Sequence, residues 1–352
     1  MSDAVEIIER ERPLLSYPFD EAPVDGGAVD VAPGVKWLRV PLDNPLGFIN
    51  VWAIEDGAGW AIADTGMAPH ALPTWSRAFK GALGGRPATR VLVTHMHPDH
   101  IGWAGWLTRK FDCRLWVTRL EFLTCRSLAS DTGKEAPLDG VRFLHAAGWS
   151  EEQIEFYRAR FGNFGKMLHP LPDSFHRLRD GDEFAIGGRT WRVVVGCGHS
   201  PEHACFYCPE LKLLISGDQI LPKISSNVSV FATEPEANPL GEWLDSLARI
   251  KSKVPDEVLV LPAHNEPFHG LHARIDDLIA GHRERLDQMR ELAAKPMRVA
   301  DFFPFVFRRP IEDGNRMPAT GECVAHLNYL IAKGQVVRER DAEGVDWYRA
   351  CA

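Results

Sequence analysis

Three histidines and an aspartate follow a short apolar run in Val91-Leu-Val-Thr-His-Met-His-Pro-Asp-His-Ile-Gly102. The run reads as a buried strand that delivers His95, His97, Asp99 and His100 into the loop at its end. Imidazole and carboxylate donors together suit zinc, and the same set serves iron or manganese. His95 and His97 are two apart, so in extended backbone they point the same way and can share one ion. Asp99 and His100 then turn toward another. The competing reading is a surface loop that happens to be rich in histidine, and the rest of the chain decides against it.

Further candidate ligands come in order, each just after an apolar strand. Trp191-Arg-Val-Val-Val195 runs into Gly196-Cys-Gly-His199-Ser-Pro-Glu-His203. Leu213-Leu-Ile-Ser-Gly-Asp218 ends in glycine and a carboxylate, and Val258-Leu-Val-Leu-Pro-Ala-His264 ends in histidine. Upstream, Trp60-Ala-Ile-Ala-Asp64-Thr-Gly66 is a strand ending in aspartate. The His-x-His-x-Asp-His pattern, with these four motifs in this order, resembles the signature of the metallo-β-lactamase superfamily.

That resemblance implies a ligand set. His95, His97 and His199 would hold one metal; Asp99, His100 and His264 would hold a second; Asp218 would bridge. The implied cofactor is two divalent ions, zinc first, with iron or manganese as alternatives. Two cations roughly 3.5–4 Å apart can share a water and lower its pKa toward neutrality, giving a metal-bridging hydroxide without a protein base. Asp99 and Asp218 are the expected catalytic carboxylates. Asp64 and His203 are expected to orient ligand rings by hydrogen bonds. One position departs from the family pattern: Glu202 stands where glycine is usual, and a positive φ there would strain it. Cys197 and Ser200 flank His199, but no triad order accompanies them.

Composition bounds the function. The chain has 352 residues, 45% of them hydrophobic and 25% charged, with a formal charge of −8. That length fits one large domain with an appendage. No apolar run approaches a membrane span, and the acidic start, Met1 to Arg12, is unlike a signal peptide. Seven scattered cysteines argue for a reducing cytoplasm rather than a disulfide framework. The acidic balance weighs against nucleic acid and anionic membrane as partners.

The elements needed to position these ligands are also readable. Residues 1–30 read as an irregular leader. Strands at Val35–Val40 and Ile49–Ile54, a turn at Glu55–Gly59 and a helix over 71–82 precede the ligand strand. Alternating strands and helices give a layered α/β class, and the resemblance implies the αββα sandwich within it. The catalytic domain is expected over 1–295. Within it, about 113–175 forms an insertion, helical over 120–175 and rich in aromatics and arginines. Ser150 and Gln153 there form a capping-box pattern. Such an insertion either covers the cleft or packs on its own aromatics. Arg126, Tyr157 and Arg160 are its candidate substrate contacts, with Asn227 from the stretch after Asp218.

A helix is predicted over 239–253. Another over 271–294 carries many charges, Arg274 and Asp277 among them, and reads as a solvated amphipathic helix. His269, His272 and His282 lie outside any motif. Residues 296–352 read as an α+β unit: an apolar helical segment at 299–307, an amphipathic helix over 320–334 and a hairpin. It resembles the winged-helix appendage of some superfamily hydrolases. Its cations are offset by acids, so it reads as structural or as an interface, which leaves room for a homo-oligomer. The expected function is hydrolysis of a small acyl substrate, a thioester or a lactone or other ester, in the manner of the glyoxalase II and lactonase branches. A metallonuclease is the alternative, and a non-haem iron oxidoreductase a more distant one.

Overall fold

The computed structural model describes residues 14–307 and 310–351. The first thirteen residues of the expected leader lie outside it; the remainder of that leader, to Ala28, has no helix or strand longer than a single bridge.

Two sheets are stacked. The first takes its strands in chain order: β1 (Val29–Ala32), β2 (Val35–Pro41), β3 (Phe48–Asp56), β4 (Gly59–Ala63), β5 (Ala88–Leu92), β6 (Arg114–Thr118) and β7 (His176–Leu178). β1 to β4 are antiparallel neighbours, and β4 to β7 are parallel. The second sheet holds β8 (Glu183–Ile186), β9 (Arg189–Gly196), β10 (His203–Cys208), β11 (Leu213–Gly217) and β12 (Leu259–Pro262), antiparallel except for the β11–β12 pair. β4 and β5 therefore run together, and so do β9, β11 and β12. Each of these five strands ends just before a candidate ligand or ligand-orienting residue.

The inner faces of the two sheets enclose one apolar layer, with Trp37, Trp52 and Leu92 meeting Trp191, Phe206 and Leu261. Outside the first sheet lie α1 (Ala71–Lys80), the single-turn α2 (Pro98–Ile101), α3 (Ala104–Phe111) and α4 (Arg119–Ser130). Trp75, Leu107 and Phe122 fill that outer layer. This is the αββα sandwich that the resemblance implies, and β2 is covered on both faces: Val35 and Trp37 join the inner layer, Leu38 and Val40 the outer one. The insertion continues with α5 (Leu138–Ala146) and α6 (Glu151–Arg160). Ser150 and Gln153 make the expected capping box on α6. Beyond a short 3-10 turn at Phe164–Met167 the insertion stops being helical. Residues 168–175 instead lie along α3, where Arg109 donates to the carbonyls of Pro170 and Leu171.

The second sheet is covered by α7 (Pro239–Lys253) and α8 (Leu271–Leu292). The small C-terminal unit adds α9 (Phe303–Val306), α10 (Arg316–Ala332) and a hairpin of β13 (Val336–Arg340) and β14 (Asp346–Ala350). Two expectations fail here. α8 is not simply solvated: Arg274 and Asp277 are buried and paired, and Arg274 also donates to two backbone carbonyls. Its charge is satisfied inside rather than in water. α10 is not amphipathic either, since residues from Ala319 to Asn328 are all buried except Glu322, which is partly so. The reason is shared: α10 lies against both α7 and α8, and Phe302, Cys323, Leu327 and Tyr348 join Trp243, Leu247 and Ile275 in one apolar cluster. Because that cluster is continuous, Phe302→Ala should cost about 3–5 kcal/mol of the stability of the whole chain. Urea unfolding followed by both tryptophan fluorescence and far-UV dichroism should show one transition at lower midpoint, not a separate early one.

Candidate metal centre

The strand ends bring seven side chains to one cleft in two groups. His95, His97, His199 and Asp218 form the first, and Asp99, His100 and His264 form the second; the potential ligand atoms within each group lie within 4.8 Å of one another. The His95 Nε2 is 2.8 Å from His97 Nδ1 and 3.2 Å from His199 Nε2. Asp218 connects the groups. Its Oδ2 is 3.4 Å from His199 Nε2 and 3.5 Å from His100 Nε2, and its Oδ1 is 3.5 Å from His264 Nε2. Asp99 Oδ2 stands 3.3 Å from the same His264 nitrogen.

Local backbone explains the convergence. His97 is extended, and Pro98 then opens α2 at its first turn, so Asp99 and His100 turn back toward the cleft. Gly217, at φ +51°, lets the chain bend sharply before Asp218; a Cβ there would come within 2.6 Å of the His203 ring. Asp64 itself takes φ +60°, a conformation that aspartate tolerates better than most residues.

Protein oxygens fix the rings. His199 Nδ1 bonds the Asn227 carbonyl at 2.7 Å, and His264 Nδ1 bonds the Phe48 carbonyl at 2.9 Å. His100 Nδ1 bonds Asp64 Oδ2 at 2.8 Å. Each of these rings therefore carries its proton on Nδ1 and presents Nε2 to the cleft. Thr94 completes the support, donating its backbone N–H to Asp64 Oδ1 and its hydroxyl to Oδ2, both at 2.8 Å.

The donor set fits a cation. His100 Nε2, His264 Nε2 and Asp218 Oδ1 are buried without a hydrogen-bond partner, which is costly unless an ion takes those lone pairs. Burial pushes the His95 and His203 rings well below their usual range, and His97 to about 3, so these are neutral and their lone pairs are available. Burial also opposes charge at Asp99 and Asp218. Burial likewise opposes charge on the His100 and His264 rings, yet Asp218 and Asp99 push both rings up while the rings hold both carboxyls low. This point of the cleft therefore demands positive charge, which a bound cation would supply in place of the two protons. Neutral imidazoles and carboxylate anions are the ligands of zinc, iron and manganese sites.

His203 is not among the convergent ligands. It stacks on His95 with centroids 4.8 Å apart, and its Nε2 accepts the Asp218 backbone N–H at 3.1 Å. Glu202 is free of the strain that a positive φ would impose, because it is not among the residues with that conformation. Its Oε2 instead accepts the Leu120 N–H at the start of α4. The Ser200 hydroxyl donates to Glu121, and the Cys197 backbone N–H donates to Ser246 while burial pushes its thiol up.

The remaining candidates lie further out. Arg126 is exposed with its guanidinium over Phe122, and Arg160 is exposed over Phe156. Tyr157 packs edge-on against Phe161, its hydroxyl close to Gly140 of α5. Among the described residues none of these three is hydrogen-bonded or ion-paired to the cluster. Asn227 meets it through its backbone carbonyl, while its side chain turns away to Glu322. His282 is buried among Ser225 and His326, and His269 and His272 bond backbone carbonyls.

Glu121 is the residue that motif reading misses. It is fully buried and accepts from Met96 N, Ser200 Oγ and Glu202 N at 2.7–2.8 Å, joining the His95–His97 loop to the His199–His203 loop. It lies in the aromatic-rich insertion with no pattern around it. Thr94, directly before His95, was within reach of a positional argument. Glu121→Gln replaces one acceptor oxygen by a donor facing donors. It should cost about 2–3 kcal/mol in stability, read by urea titration, and loosen metal retention against a chelator.

Comparison with known proteins supports the same family. The profile of the metallo-β-lactamase superfamily matches residues 44–297, and that of a metallo-β-lactamase-like C-terminal domain matches 286–351. A β-lactamase domain protein from Burkholderia ambifaria superposes with a TM-score of 0.87 at 41% identity, covering 96% of this chain and 98% of its own. A metallo-β-lactamase family protein from Thermus thermophilus gives 0.77 at 28% identity, covering 92% and 100%. Among curated relatives, the lactamase-like protein nscB of Neosartorya fischeri is 32% identical over 70% of this chain and 58% of its own length. An atrochrysone carboxyl ACP thioesterase of Aspergillus fumigatus is 24% identical over 69% of this chain and 43% of its own. The chain thus spans about half the length of these curated relatives. With the profile covering most of its length and the sandwich and ligand order in place, this chain belongs to the metallo-β-lactamase superfamily.

Proposed function

We propose that the chain is a binuclear metal-dependent hydrolase of small acyl substrates, with thioesters ahead of lactones and other esters. The observation that carries the proposal is Asp218, a buried carboxylate whose Oδ2 lies between His199 of one group and His100 of the other and whose Oδ1 faces His264. His95, His97 and His199 with Asp218 would hold one divalent ion; Asp99, His100 and His264 with Asp218 would hold the other. Such ions supply Lewis-acid polarisation of a carbonyl and acidify bound water. Zinc suits the donors best, and iron or manganese are served by them too.

The chain's own groups set the conditions. Asn227, Phe48 and Asp64 fix three rings in the Nδ1–H tautomer, so no reorganisation is needed when substrate arrives. Asp99 and Asp218 are the anionic acceptors nearest both groups and are assigned the role of hydrogen-bonding the attacking water. The Ser200 hydroxyl is tied to buried Glu121 and burial pushes the Cys197 thiol up, so neither is activated and water is left as the nucleophile.

Two lines favour thioesters. Curated relatives of Aspergillus fumigatus and Cryptosporiopsis carry the name of thioesterases at 24–25% identity. The insertion also presents exposed Arg126 and Arg160, each laid over its own aromatic neighbour, as contacts for an acidic leaving group. No helix among the described residues is long and apolar enough to cross a membrane.

Elemental analysis of protein purified without chelator should find about two transition-metal ions per chain. Asp218→Ala should deplete both, and His264→Ala mainly one; metal at trace level in the wild type would sink the reading. The substrate test compares kcat/KM for acyl-glutathione, acyl-CoA, an acyl-carrier-protein thioester, an acyl-homoserine lactone, a phosphodiester and a short RNA. Thioesters should lead. A lead of about tenfold for the phosphodiester or RNA, some 1.4 kcal/mol in transition-state stabilisation, would hand the site to nuclease chemistry.

A further inference from the structure

Residues 219–231 leave Asp218 without regular structure, and their course is set from the far side by α8 and α10. Arg274 of α8 donates to the carbonyls of Leu221 at 2.6 Å and Ile224 at 2.8 Å. His282 of α8 lies 3.1 Å from the Ser225 hydroxyl and 3.2 Å from His326 of α10. Val230 donates its N–H to the Gly321 carbonyl of α10 at 3.0 Å. A Cβ on Gly321 would come within 2.7 Å of the Ser229 Cβ, so glycine is what lets the helix lie this close.

Asn227 is where these contacts reach the ligand cluster. Its carbonyl bonds His199 Nδ1 at 2.7 Å. Its side-chain Nδ2 donates to Glu322 Oε2 at 3.0 Å, and its Oδ1 accepts from the Ser229 hydroxyl. The other Glu322 oxygen is paired with Arg285 of α8. The amide cannot be turned over without setting its oxygen against the carboxylate. One orientation of Asn227 is therefore held, and with it the carbonyl that fixes the His199 tautomer.

A buried carboxylate in the C-terminal unit calls for a reason. The Glu322 side chain is 14% exposed, and a buried ion pair adds little net stability over an apolar substitute. We infer that Glu322 is a positioning residue for His199, acting through Asn227, so that the C-terminal unit completes the metal centre rather than merely covering the sheet. The inference rests on the metal reading of the cluster. It assigns α10 a part in ligand geometry, since the chain Arg285–Glu322–Asn227–His199 crosses from one unit to the other.

The test is zinc retention by the full-length protein against a competing chelator, well below each variant's melting temperature. Glu322→Leu should weaken zinc binding about tenfold or more, the size seen when a ligand's orienting partner is lost. Glu322→Gln keeps an oxygen for Asn227 and should stay within about threefold of wild type. Asn328→Ala is the control at the same seam: it loses bonds to the Pro235 and Ala237 carbonyls, both 2.9 Å, but has no path to His199. It should lower the melting temperature and leave zinc affinity unchanged. Glu322→Leu within twofold of wild type, or Asn328→Ala as weak as Glu322→Leu, overturns the inference. Should Glu322→Leu fail to fold, Asn227→Ala removes the same clamp from a half-buried position, and unchanged zinc retention there overturns it equally. A wild-type chain that takes up no zinc, iron or manganese overturns the metal reading, and this inference with it.

Discussion

Holding buried Asp218 and largely buried Asp99 beside five imidazoles is the constraint on which the architecture turns. Carboxylates taken out of water cost several kcal/mol each unless they are paired or ligate a cation. Among the described residues no arginine or lysine is paired with either acid; their neighbours are imidazole rings, three of which commit their other nitrogen to protein oxygens. The strands must therefore end in register, so that charge lost to water is recovered from an ion. Parallel β4 and β5 in one sheet, and co-directional β9, β11 and β12 in the other, meet that demand by placing their ends on one side.

The sheets are locked together at that edge by backbone bonds. Ala204 donates to the Thr94 carbonyl at 2.8 Å, and Asn50 to the Ala263 carbonyl at 2.7 Å. Thr94 precedes the first ligand and Ala263 precedes the last. A shift of one sheet against the other would break these bonds and separate His95 from His199. The thick apolar layer of Trp37, Trp52 and Trp191 resists such a shift, because close-packed interiors transmit strain rather than absorb it. Packing energy deep in the sandwich is thus what holds ligand distances at its rim.

Much of this was legible in the sequence, for a specific physical reason. A strand end followed by a ligand combines two local signals, an apolar run and a chemically unusual side chain. The seven candidate ligands fall on four segments that each carry both, so their order from His95 to His264 is readable without coordinates. The structure brings their side chains into two adjoining groups. Glu121 has neither signal: its acceptors matter only because Met96 and Glu202, distant in sequence, point their N–H groups at it. Arg274 and Asp277 mislead for the converse reason. Their charges suit a solvated face, and only the loop carbonyls of Leu221 and Ile224 make burial tolerable. Helix α10 fails by the same logic, since its polar residues, Thr320, His326 and Asn328, find partners on other elements.

Side-chain bonds across long sequence separations therefore mark what pattern reading cannot reach, and some of them tie the insertion and the C-terminal unit to the site. The insertion approaches from one side through Glu121, which touches both histidine loops. The C-terminal unit approaches from the other through Glu322, which reaches His199 by way of Asn227. Glu121 is buried and Glu322 largely so, both accept from donors on the loops that carry candidate ligands, and neither faces the cluster itself. A change in the insertion or the C-terminal unit that breaks either tether leaves donors of the candidate ligand loops without acceptors, and the ring orientations are released with them.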